Sequence, residues 1–453
     1  MSDTLMRSVS GVRGIVGTDL TPERVARYAA AFGSVLASQG HQTAVLARDS
    51  RTSGPVFADA ARAGLRGAGI TVIDAGLVPT PTAQLAVEHH GAGGGIILTA
   101  SHNPVEWNAL KFVGADGLFL DREAVSRLFA LVDAGEAASA AWDGLGAVRP
   151  DAGAVERHLR AVYALPYVDV ERIRRRGLLV VLDCVRGAGG TIMPRLLEEL
   201  GCRVTGIDLE PDGRFPRAPE PVPANLRVLA ERVAAEGADL GIAVDPDVDR
   251  LAVVDGAGTP IGEDYTLAFA VRTVLERTPG PVVVNLSTSL VVDDAAAAFG
   301  TTVTRAPVGE ANVARAIQQA GAVIGGEGNG GVMLPALHIG RDAPLAAALI
   351  LDLLARTECG VADLVAASPR YTIVKAKAPR GPDLAPVYAA LGREFSGAAE
   401  DTQDGLRLAW PGRWLHVRPS GTEPIVRLIA EAPTAEGAEA LVRRATAIFE
   451  GGS

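Results

Sequence analysis

Three stretches of the chain repeat one pattern of hydrophobic and polar positions. In each, short apolar runs alternate with amphipathic segments, and the third apolar run ends in a loop of unusual composition. Apolar runs bounded by polar loops predict buried strands, and the amphipathic segments predict helices, so the pattern favours repeated α/β layers with helices on both faces of each sheet. The predicted strands are Ala44–Ala47, Ile70–Ile73 and Gly95–Leu98 in the first stretch, Leu178–Leu182, Arg203–Ile207 and Leu240–Val244 in the second, and Val282–Val284, Thr301–Thr304 and Ala322–Ile324 in the third.

The pattern changes after about Ser368. Four strands are predicted before a terminal helix over Thr434–Glu450: Tyr371–Ala376, Leu406–Ala409, Trp414–Val417 and Ile425–Ala430. A chain of 453 residues is long enough for three or four domains. We therefore predict an α/β protein with three related α/β sandwich domains, residues 1–150, 151–255 and 256–368, and a smaller α+β domain, residues 369–453.

Charge and composition narrow the classes of function. The net charge of -10 disfavours nucleic acid and anionic membranes as partners, because both are bound through clustered Lys and Arg. The chain starts without a secretion signal, and the apolar run Leu345–Leu354 is short and interrupted by Asp352, so we expect a soluble, cytoplasmic protein. The odd number and wide spacing of Cys184, Cys202 and Cys359 fit buried thiols better than disulfides or a zinc site.

The loop after the third strand of the first stretch, Thr99–Pro104, contains a candidate nucleophile. A hydroxyl of Ser101 exposed at a strand terminus could accept a phosphoryl group, while His102 and Lys111 could supply a proton relay and a positive charge. Alternatively, Ser101 caps a helix that begins near Pro104. The motif alone leaves both interpretations open.

The corresponding loop of the second stretch contains three alternating aspartates, Asp245, Asp247 and Asp249, followed by Arg250. In an extended loop their carboxylates can converge on one point, and hard oxygen ligands suit Mg²⁺. Few protein ligands would be needed if a phosphate oxygen completed the coordination shell. The alternative is a set of solvated or capping groups.

Two further loops carry groups that suit a phosphorylated sugar. Glu327 lies in the glycine-rich run Gly325–Gly331, where a carboxylate can accept hydrogen bonds from hydroxyls and the backbone can approach a ligand closely. The last predicted domain offers a guanidinium, hydroxyls and a flexible amide in one loop, which suits a phosphate: Arg418, Ser420, Gly421 and Thr422. A glycine turn and a hairpin turn are the respective alternatives.

Together, these four loops in this order resemble the α-D-phosphohexomutase family, and the resemblance runs through essentially the whole chain. It implies four domains around a central cleft. It also implies that Ser101 is the phosphoserine and lies at the Mg²⁺ site formed by the three aspartates. Sugar and phosphate contacts are implied for Glu327, Asn329, Arg418, Ser420, Gly421 and Thr422.

Other positions of the family pattern also have counterparts here. Arg13, in Ser10–Gly14, resembles an N-terminal active-site arginine, Lys111 a lysine of the cleft, and Arg250 the arginine after the metal loop. In the sugar loop Asn329 and Gly331 stand where many bacterial members have serine and histidine. The general acid/base is therefore left open, with His338 as a candidate.

The resemblance implies a reaction. A hexose 6-phosphate and a hexose 1-phosphate would interconvert through phosphoserine and a sugar 1,6-bisphosphate. The sugar loop and Val308-Gly309-Glu310 resemble the archaeal-type phosphoglucosamine mutase branch, which favours glucosamine phosphate over mannose or glucose phosphates. A metal-dependent phosphatase and a non-catalytic sugar-phosphate sensor are alternatives. A dehydrogenase is disfavoured because Gly187–Gly190 lacks the third glycine of a dinucleotide-binding loop.

Overall fold

The computed structural model describes residues 5–381, 383–420 and 425–451. Its first part is built around a seven-stranded sheet in the order β1-β2-β6-β5-β3-β4-β7. The elements are β1 (Met6–Ser8), β2 (Gly11–Ile15), α1 (Pro22–Ser38), β3 (Thr43–Arg48), α2 (Gly54–Gly67), β4 (Thr71–Leu77), α3 (Thr80–His90), β5 (Gly94–Leu98), β6 (Trp107–Gly114), α4 (Arg122–Ala134) and β7 (Val148–Pro150).

The next two parts each contain a four-stranded sheet, in the orders β11-β10-β8-β9 and β13-β12-β14-β15. The first of them consists of α5 (Ala154–Tyr163), α6 (Val170–Arg176), β8 (Leu179–Asp183), α7 (Met193–Glu199), β9 (Arg203–Ile207), α8 (Arg227–Glu236), β10 (Leu240–Val244) and β11 (Leu251–Asp255), with short 3-10 helices at Ala188–Thr191 and Pro223–Asn225. The second consists of α9 (Glu263–Leu275), β12 (Val282–Asn285), α10 (Leu290–Ala297), β13 (Val303–Ala306), α11 (Glu310–Ala320), β14 (Ile324–Glu327), β15 (Gly331–Met333), α12 (Ala343–Thr357) and α13 (Val361–Ala366).

The threefold repeat predicted from the sequence is confirmed. In each unit a central strand pairs in parallel with two others, β3 with β4 and β5, β8 with β9 and β10, and β12 with β13 and β14. An antiparallel strand, β6, β11 or β15, then returns beside the last of these. The loops after β5, β10 and β14 thus occupy equivalent places at the carboxyl ends of parallel strands, where α/β folds bind ligands.

The fourth part is an antiparallel sheet covered by two helices, which confirms the smaller α+β domain. Its elements are β16 (Thr372–Pro379), α14 (Ala385–Glu394), β17 (Ala399–Asp401), β18 (Leu406–Trp410), β19 (Arg413–Pro419), β20 (Ile425–Ala432) and α15 (Ala435–Gly451), with strand order β16-β20-β19-β18-β17. Apolar side chains of the sheet and both helices, among them Leu428, Leu391 and Leu441, form its core.

Packing explains two loops on which the sequence left alternatives. The helix expected from a capping role of Ser101 does not form, because the chain after Pro104 turns directly into β6. In the glycine run Gly187–Gly190, a Cβ on Gly190 would lie 1.8 Å from the carbonyl oxygen of Leu209, so this run serves close packing. Among the described residues no helix is long and apolar enough to cross a bilayer.

Candidate active site

Ser101 lies directly after β5 in a left-handed backbone conformation, with φ of 47°. Its Oγ donates a hydrogen bond to Oδ2 of Asp245 at 2.9 Å and lies 3.4 Å from Nδ1 of His102. The expectation of an exposed serine is wrong, since only 3% of the residue is accessible. The aspartate loop of the second unit covers the hydroxyl, so the serine belongs to a site formed between two domains.

A buried arginine holds the serine loop in place. The guanidinium of Arg51 is fully buried and donates four hydrogen bonds of 2.7 Å to backbone carbonyls, those of Ser101, Asn103, Pro104 and Trp107. Its Nε pairs with Asp49. This clamp supports the left-handed conformation at Ser101, which is uncommon for a residue with a Cβ. No local pattern in the sequence marks Arg51 for this role, because a charged residue after a strand is typical of ordinary loops.

The three aspartates converge as predicted. Asp245, Asp247 and Asp249 are each fully buried, and carboxylate oxygens of the three lie within 4.8 Å of one another. Asp245 accepts hydrogen bonds from the backbone N–H groups of Asp249 and Arg250 through Oδ1. Oδ1 of Asp247 and Oδ1 of Asp249 have no hydrogen-bond partner. Two buried carboxylate oxygens without hydrogen bonds in such a cluster fit the ligand set of a divalent cation.

Protein cations neutralise part of this cluster. Nζ of Lys111 and Oγ1 of Thr80 each lie 2.8 Å from Oδ2 of Asp247. Burial alone would raise the pKa of Asp247, but the adjacent Lys111 holds that pKa well below its usual range. Burial and the two neighbouring carboxylates raise the pKa of Asp245 instead. The site therefore retains an excess of acidic groups that a bound cation would stabilise.

The remaining predicted residues of the serine side surround this centre. Arg13 donates to the Asn103 side chain beside the serine, and burial lowers the pKa of Arg13 to about 10. Arg250 pairs with Glu220 at 2.8 Å, and Nε2 of His102 lies 4.0 Å from the same carboxylate oxygen. The charge of Arg250, together with burial, lowers the pKa of His102 well below its usual range. Glu220 was not identified from the sequence, since it lies 25 residues before Asp245 in a proline-rich loop.

Glu327 lies at the end of β14 and is almost completely buried. Its Oε1 accepts hydrogen bonds from Asn285 at 2.8 Å and from the Gly309 backbone at 3.0 Å. Its Oε2 accepts from Arg341 at 2.8 Å and lies 3.5 Å from the amide of Asn329. Burial alone would raise the pKa of Glu327, yet the Arg341 charge lowers it. The predicted sugar-loop carboxylate is thus ionised and held in one orientation.

The fourth domain contacts the loop after β13, which also binds Glu327, through Asp404. Oδ2 of Asp404 accepts hydrogen bonds from Nε of Arg418 at 2.7 Å and from the backbone N–H of Val308 at 3.2 Å. Ser420, two residues after Arg418, is also buried. Two further predicted phosphate contacts, Gly421 and Thr422, lie outside the described residues.

Hydrogen bonds and ion pairs join groups from all four units. The connected pairs are Ser101 with Asp245, Asp249 with Arg341, Arg341 with Glu327, Glu327 with Gly309, and Val308 with Asp404, which binds Arg418. His338, a candidate for acid/base chemistry, is buried with its Nε2 3.0 Å from Asp342, a carboxylate that it shares with His158. Through Asp342, His338 is joined to His158 of the second unit, and its role in acid/base chemistry stays a prediction.

Comparisons with known proteins agree with this architecture. Descriptions of the phosphoglucomutase/phosphomannomutase family match all four units: alpha/beta/alpha domain I over residues 5–139, domain II over 156–258, domain III over 262–371 and the C-terminal domain over 373–448. The chain is 38% identical over 434 residues to a "Phosphoglucomutase/phosphomannomutase" of Thermococcus kodakarensis, covering 94% of each chain. It is also 38% identical over 437 residues to a "Probable phosphoglucosamine mutase" of Methanopyrus kandleri, covering 95% of each.

A solved structure shows the same fold along the whole chain. The phosphoglucomutase/phosphomannomutase family protein of Burkholderia thailandensis superimposes with a TM-score of 0.88 at 26% identity, covering 100% of this chain and 99% of that one. The chain therefore belongs to the phosphoglucomutase/phosphomannomutase family of α-D-phosphohexomutases, enzymes that interconvert hexose phosphates.

Proposed function

We propose that this phosphohexomutase carries the transferred phosphate on Ser101 and acts on glucosamine phosphate. The observation that supports the carrier role best is the 2.9 Å contact between the Ser101 hydroxyl and Asp245 within the buried aspartate cluster. A serine that only caps or packs would not need to lie among three carboxylates. A nucleophile that carries phosphate beside a cation does need to lie close to the carboxylates that bind the cation.

The proposed reaction has two transfers in opposite directions. A hydroxyl oxygen of the sugar monophosphate attacks phosphorus of phosphoserine, the bond from phosphorus to the serine oxygen breaks, and a sugar 1,6-bisphosphate forms. The attacking hydroxyl gives up its proton and the serine oxygen receives one. After the bisphosphate turns over in the cleft, Ser101 takes the other phosphate and the alternate monophosphate leaves. His102, 3.4 Å from the Ser101 oxygen, is placed to exchange protons with it.

Asp245, Asp247 and Asp249 would hold Mg²⁺, with the oxygen of Ser101 beside them. Bound there, the ion would neutralise charge on the transferring phosphoryl group. Lys111 and Arg13 supply additional positive charge on the serine side. Alignment of the sugar is the other large contribution to phosphoryl transfer. The sugar loop with Glu327 and the phosphate loop with Arg418 would provide it.

In this proposal Glu327 and Asn329 bind sugar hydroxyls, while Arg418 and Ser420, with Gly421 and Thr422, bind the phosphate that is not being transferred. The support is the network through Asp404, because it fixes Arg418 relative to the loop that contacts Glu327. A fixed distance between the two loops would hold one phosphate while the other reacts.

The choice of glucosamine phosphate rests on the form of the sugar loop and on the relatives' names. The Methanopyrus relative is named for phosphoglucosamine, whereas the Thermococcus relative, at the same 38% identity, is named for glucose and mannose phosphates. Glucose and mannose phosphates are therefore the alternative substrates. Turnover of the three 1-phosphates under identical conditions, each with its 1,6-bisphosphate present, distinguishes them, and a glucosamine kcat/KM below that of either rival would overturn the choice.

The carrier role has a direct test. Ser101→Ala should lose mutase activity by at least about 10³-fold, because a covalent carrier has no substitute in the site. Mass spectrometry of the wild type should locate phosphate on Ser101. Ser126→Ala, at an exposed position on α4, is the matched control and should retain activity. Full activity of Ser101→Ala would refute the carrier role, and release of inorganic phosphate without isomerisation would favour a phosphatase.

A further inference from the structure

Arg341 occupies the space that a side chain at position 331 would need. Gly331 begins β15, and a Cβ built on it would lie 2.3 Å from Cδ and 2.8 Å from Cγ of Arg341. The backbone of Gly331 does not have a positive φ, so space rather than conformation requires glycine there. The side chain of Arg341 thus passes directly over a position that must remain without a side chain.

Beyond Gly331 the guanidinium reaches three carboxylates. One terminal nitrogen donates to Oε2 of Glu327 at 2.8 Å, the other donates to Oδ2 of Asp249, and Nε lies 3.1 Å from Oε2 of Glu310. Arg341 is only 8% exposed. A planar guanidinium presents its donors in a fixed fork, so it can hold two carboxylates at a set distance and angle, which an ammonium group cannot do.

The fork joins the metal loop to the sugar loop. Asp249 and Asp247 have similar surroundings. Oδ2 of each accepts a hydrogen bond from a protein cation, Arg341 or Lys111, and Oδ1 of each has no hydrogen-bond partner, although Nε of Arg250 lies 3.7 Å from Oδ1 of Asp249. Pairing one oxygen of a carboxylate fixes the rotation of the other. In metal sites, groups that orient the ligands in this way typically change metal affinity about 10- to 100-fold when they are altered.

We propose that Arg341 is a positioning residue that orients Asp249 toward the cation and Glu327 toward the sugar. The absence of a side chain at Gly331 leaves the space that the Arg341 side chain needs. The effect of Arg341 on sugar binding rests on the proposed function, whereas its effect on cation binding does not. Arg341 keeps its charge throughout, so its contribution is geometry and charge balance and not proton transfer. A change at either position should therefore affect metal affinity and substrate affinity together.

The test uses Arg341→Lys, which conserves the charge and removes the fork, and Gly331→Ala, which keeps the arginine and obstructs its path. Titration of the metal-free enzyme with Mn²⁺ is the first readout, and we expect about 10-fold or more weaker binding in each variant. In the mutase assay KM should rise for each by a similar factor. Because both changes act on one element, the double variant should be little worse than either single variant.

Arg277→Lys is the matched control, since Arg277 pairs at 2.9 Å with the fully buried Asp352 away from the site. It should lower thermal stability without changing Mn²⁺ affinity. The proposal would be overturned if folded Arg341→Lys bound Mn²⁺ within twofold of the wild-type affinity. It would also be overturned if the loss of Mn²⁺ affinity in the double variant equalled the product of the losses in the two single variants. Should Arg341→Lys fail to fold, the Mn²⁺ affinity of Gly331→Ala decides. A wild type without mutase activity would refute the proposed function and leave the Mn²⁺ result standing.

Discussion

At the scale of single residues, the site depends on cations that hold backbone and carboxylate oxygens in place. Arg51 shows this most clearly, because its four carbonyl partners all belong to residues 101–107. A lysine at this position could not reach all four, and buried carbonyls without donors each cost roughly 1–3 kcal/mol. The conformation of Ser101 should therefore be sensitive to this one side chain.

We predict that Arg51→Lys lowers the free energy of unfolding by about 3 kcal/mol and reduces the amount of phosphate on Ser101. Arg66→Lys is the control, since Arg66 is exposed and its Nε donates to a single carbonyl, that of Gly146. Denaturant unfolding and mass spectrometry of the serine peptide measure the two effects. If both variants lost the same free energy of unfolding and the same amount of phosphate on Ser101, the contact of Arg51 with four carbonyls would contribute no more than the single contact of Arg66.

The residues found from the sequence and those missed differ in one respect. Ser101, the three aspartates and Glu327 stand in short loops with distinctive composition, so their neighbours along the chain identified them. Arg51, Arg341 and Asp404 act through contacts with residues distant in the sequence; Arg341 lies 92 positions from Asp249. No local pattern marks such a contact, because it exists only after the domains have packed.

At the scale of strands and helices, the hydrophobic pattern identified the parallel strands well. β9 and β10 have the predicted bounds, and β13 and β14 begin two residues later than expected. The antiparallel strands β6, β11 and β15 were not predicted. Each follows the preceding strand through a loop alone, without the intervening helix that separates the parallel strands along the chain. The domain limits at 150, 255 and 368 remain predictions. The second and third units share one continuous apolar core, including Ile242 and Val284, so little in local composition marks a limit between them.

The N-terminus of α12 shows how an element is fixed by its surroundings. Asp342 caps this helix through Oδ1 and accepts hydrogen bonds from His158 and His338 through Oδ2. Burial would raise the pKa of Asp342, but His158 and His338 hold it well below its usual range. Because Asp342 follows Arg341 directly, the same cap also anchors the residue that joins the metal and sugar loops.

We predict that Asp342→Ala lowers the free energy of unfolding by about 3 kcal/mol, since it removes the cap and leaves two buried imidazoles without their acceptor. Asp121→Ala provides the comparison, because Asp121 caps α4 in the same way at an exposed position. It should cost about 1 kcal/mol. Thermal unfolding of both variants measures the difference. Similar losses would show that the imidazole contacts add nothing to the cap.

At the scale of the whole molecule, the third and fourth domains meet through buried polar groups. Glu431 accepts hydrogen bonds from Ser289, the Leu290 backbone and Trp414. Beside it, Nδ1 of His416 lies 2.8 Å from the Ser287 hydroxyl and Nε2 lies 2.7 Å from the Asp404 carbonyl. The carbonyl can only accept, so Nε2–H donates to it, and in the neutral imidazole Nδ1 accepts from the Ser287 hydroxyl. The position of the phosphate loop thus depends on a contact that can titrate.

Burial lowers the pKa of His416 to about 4, against 6.5 for an unperturbed histidine. The unfolded chain therefore binds a proton first as the pH falls. The stability contributed by neutral His416 is fully present above pH 6.5 and is lost progressively down to about pH 4. The slope reaches about 1.4 kcal/mol per pH unit, so about 2 kcal/mol should be lost between pH 6.5 and 5. Among the charged groups that act on the ring, Asp404 favours the protonated imidazole, whereas Arg418 and Arg407 oppose it. Burial outweighs the effect of Asp404, so the pKa of His416 is lowered.

His416→Gln keeps polar groups at the contact and removes the titration, so its thermal stability should fall less than that of the wild type as the pH drops from 7 to 5. His41→Gln, at a partly exposed position in the first domain, is the control and should follow the wild type. Hydrogen exchange of β19 and β20 should show faster opening of this interface at pH 5 in the wild type only. If wild type and His416→Gln lost stability in parallel, the acid sensitivity would have to arise elsewhere. The fourth domain would then be attached to the third by contacts that do not titrate in this range, such as the 2.9 Å hydrogen bond from Nε of Arg407 to the Leu286 carbonyl.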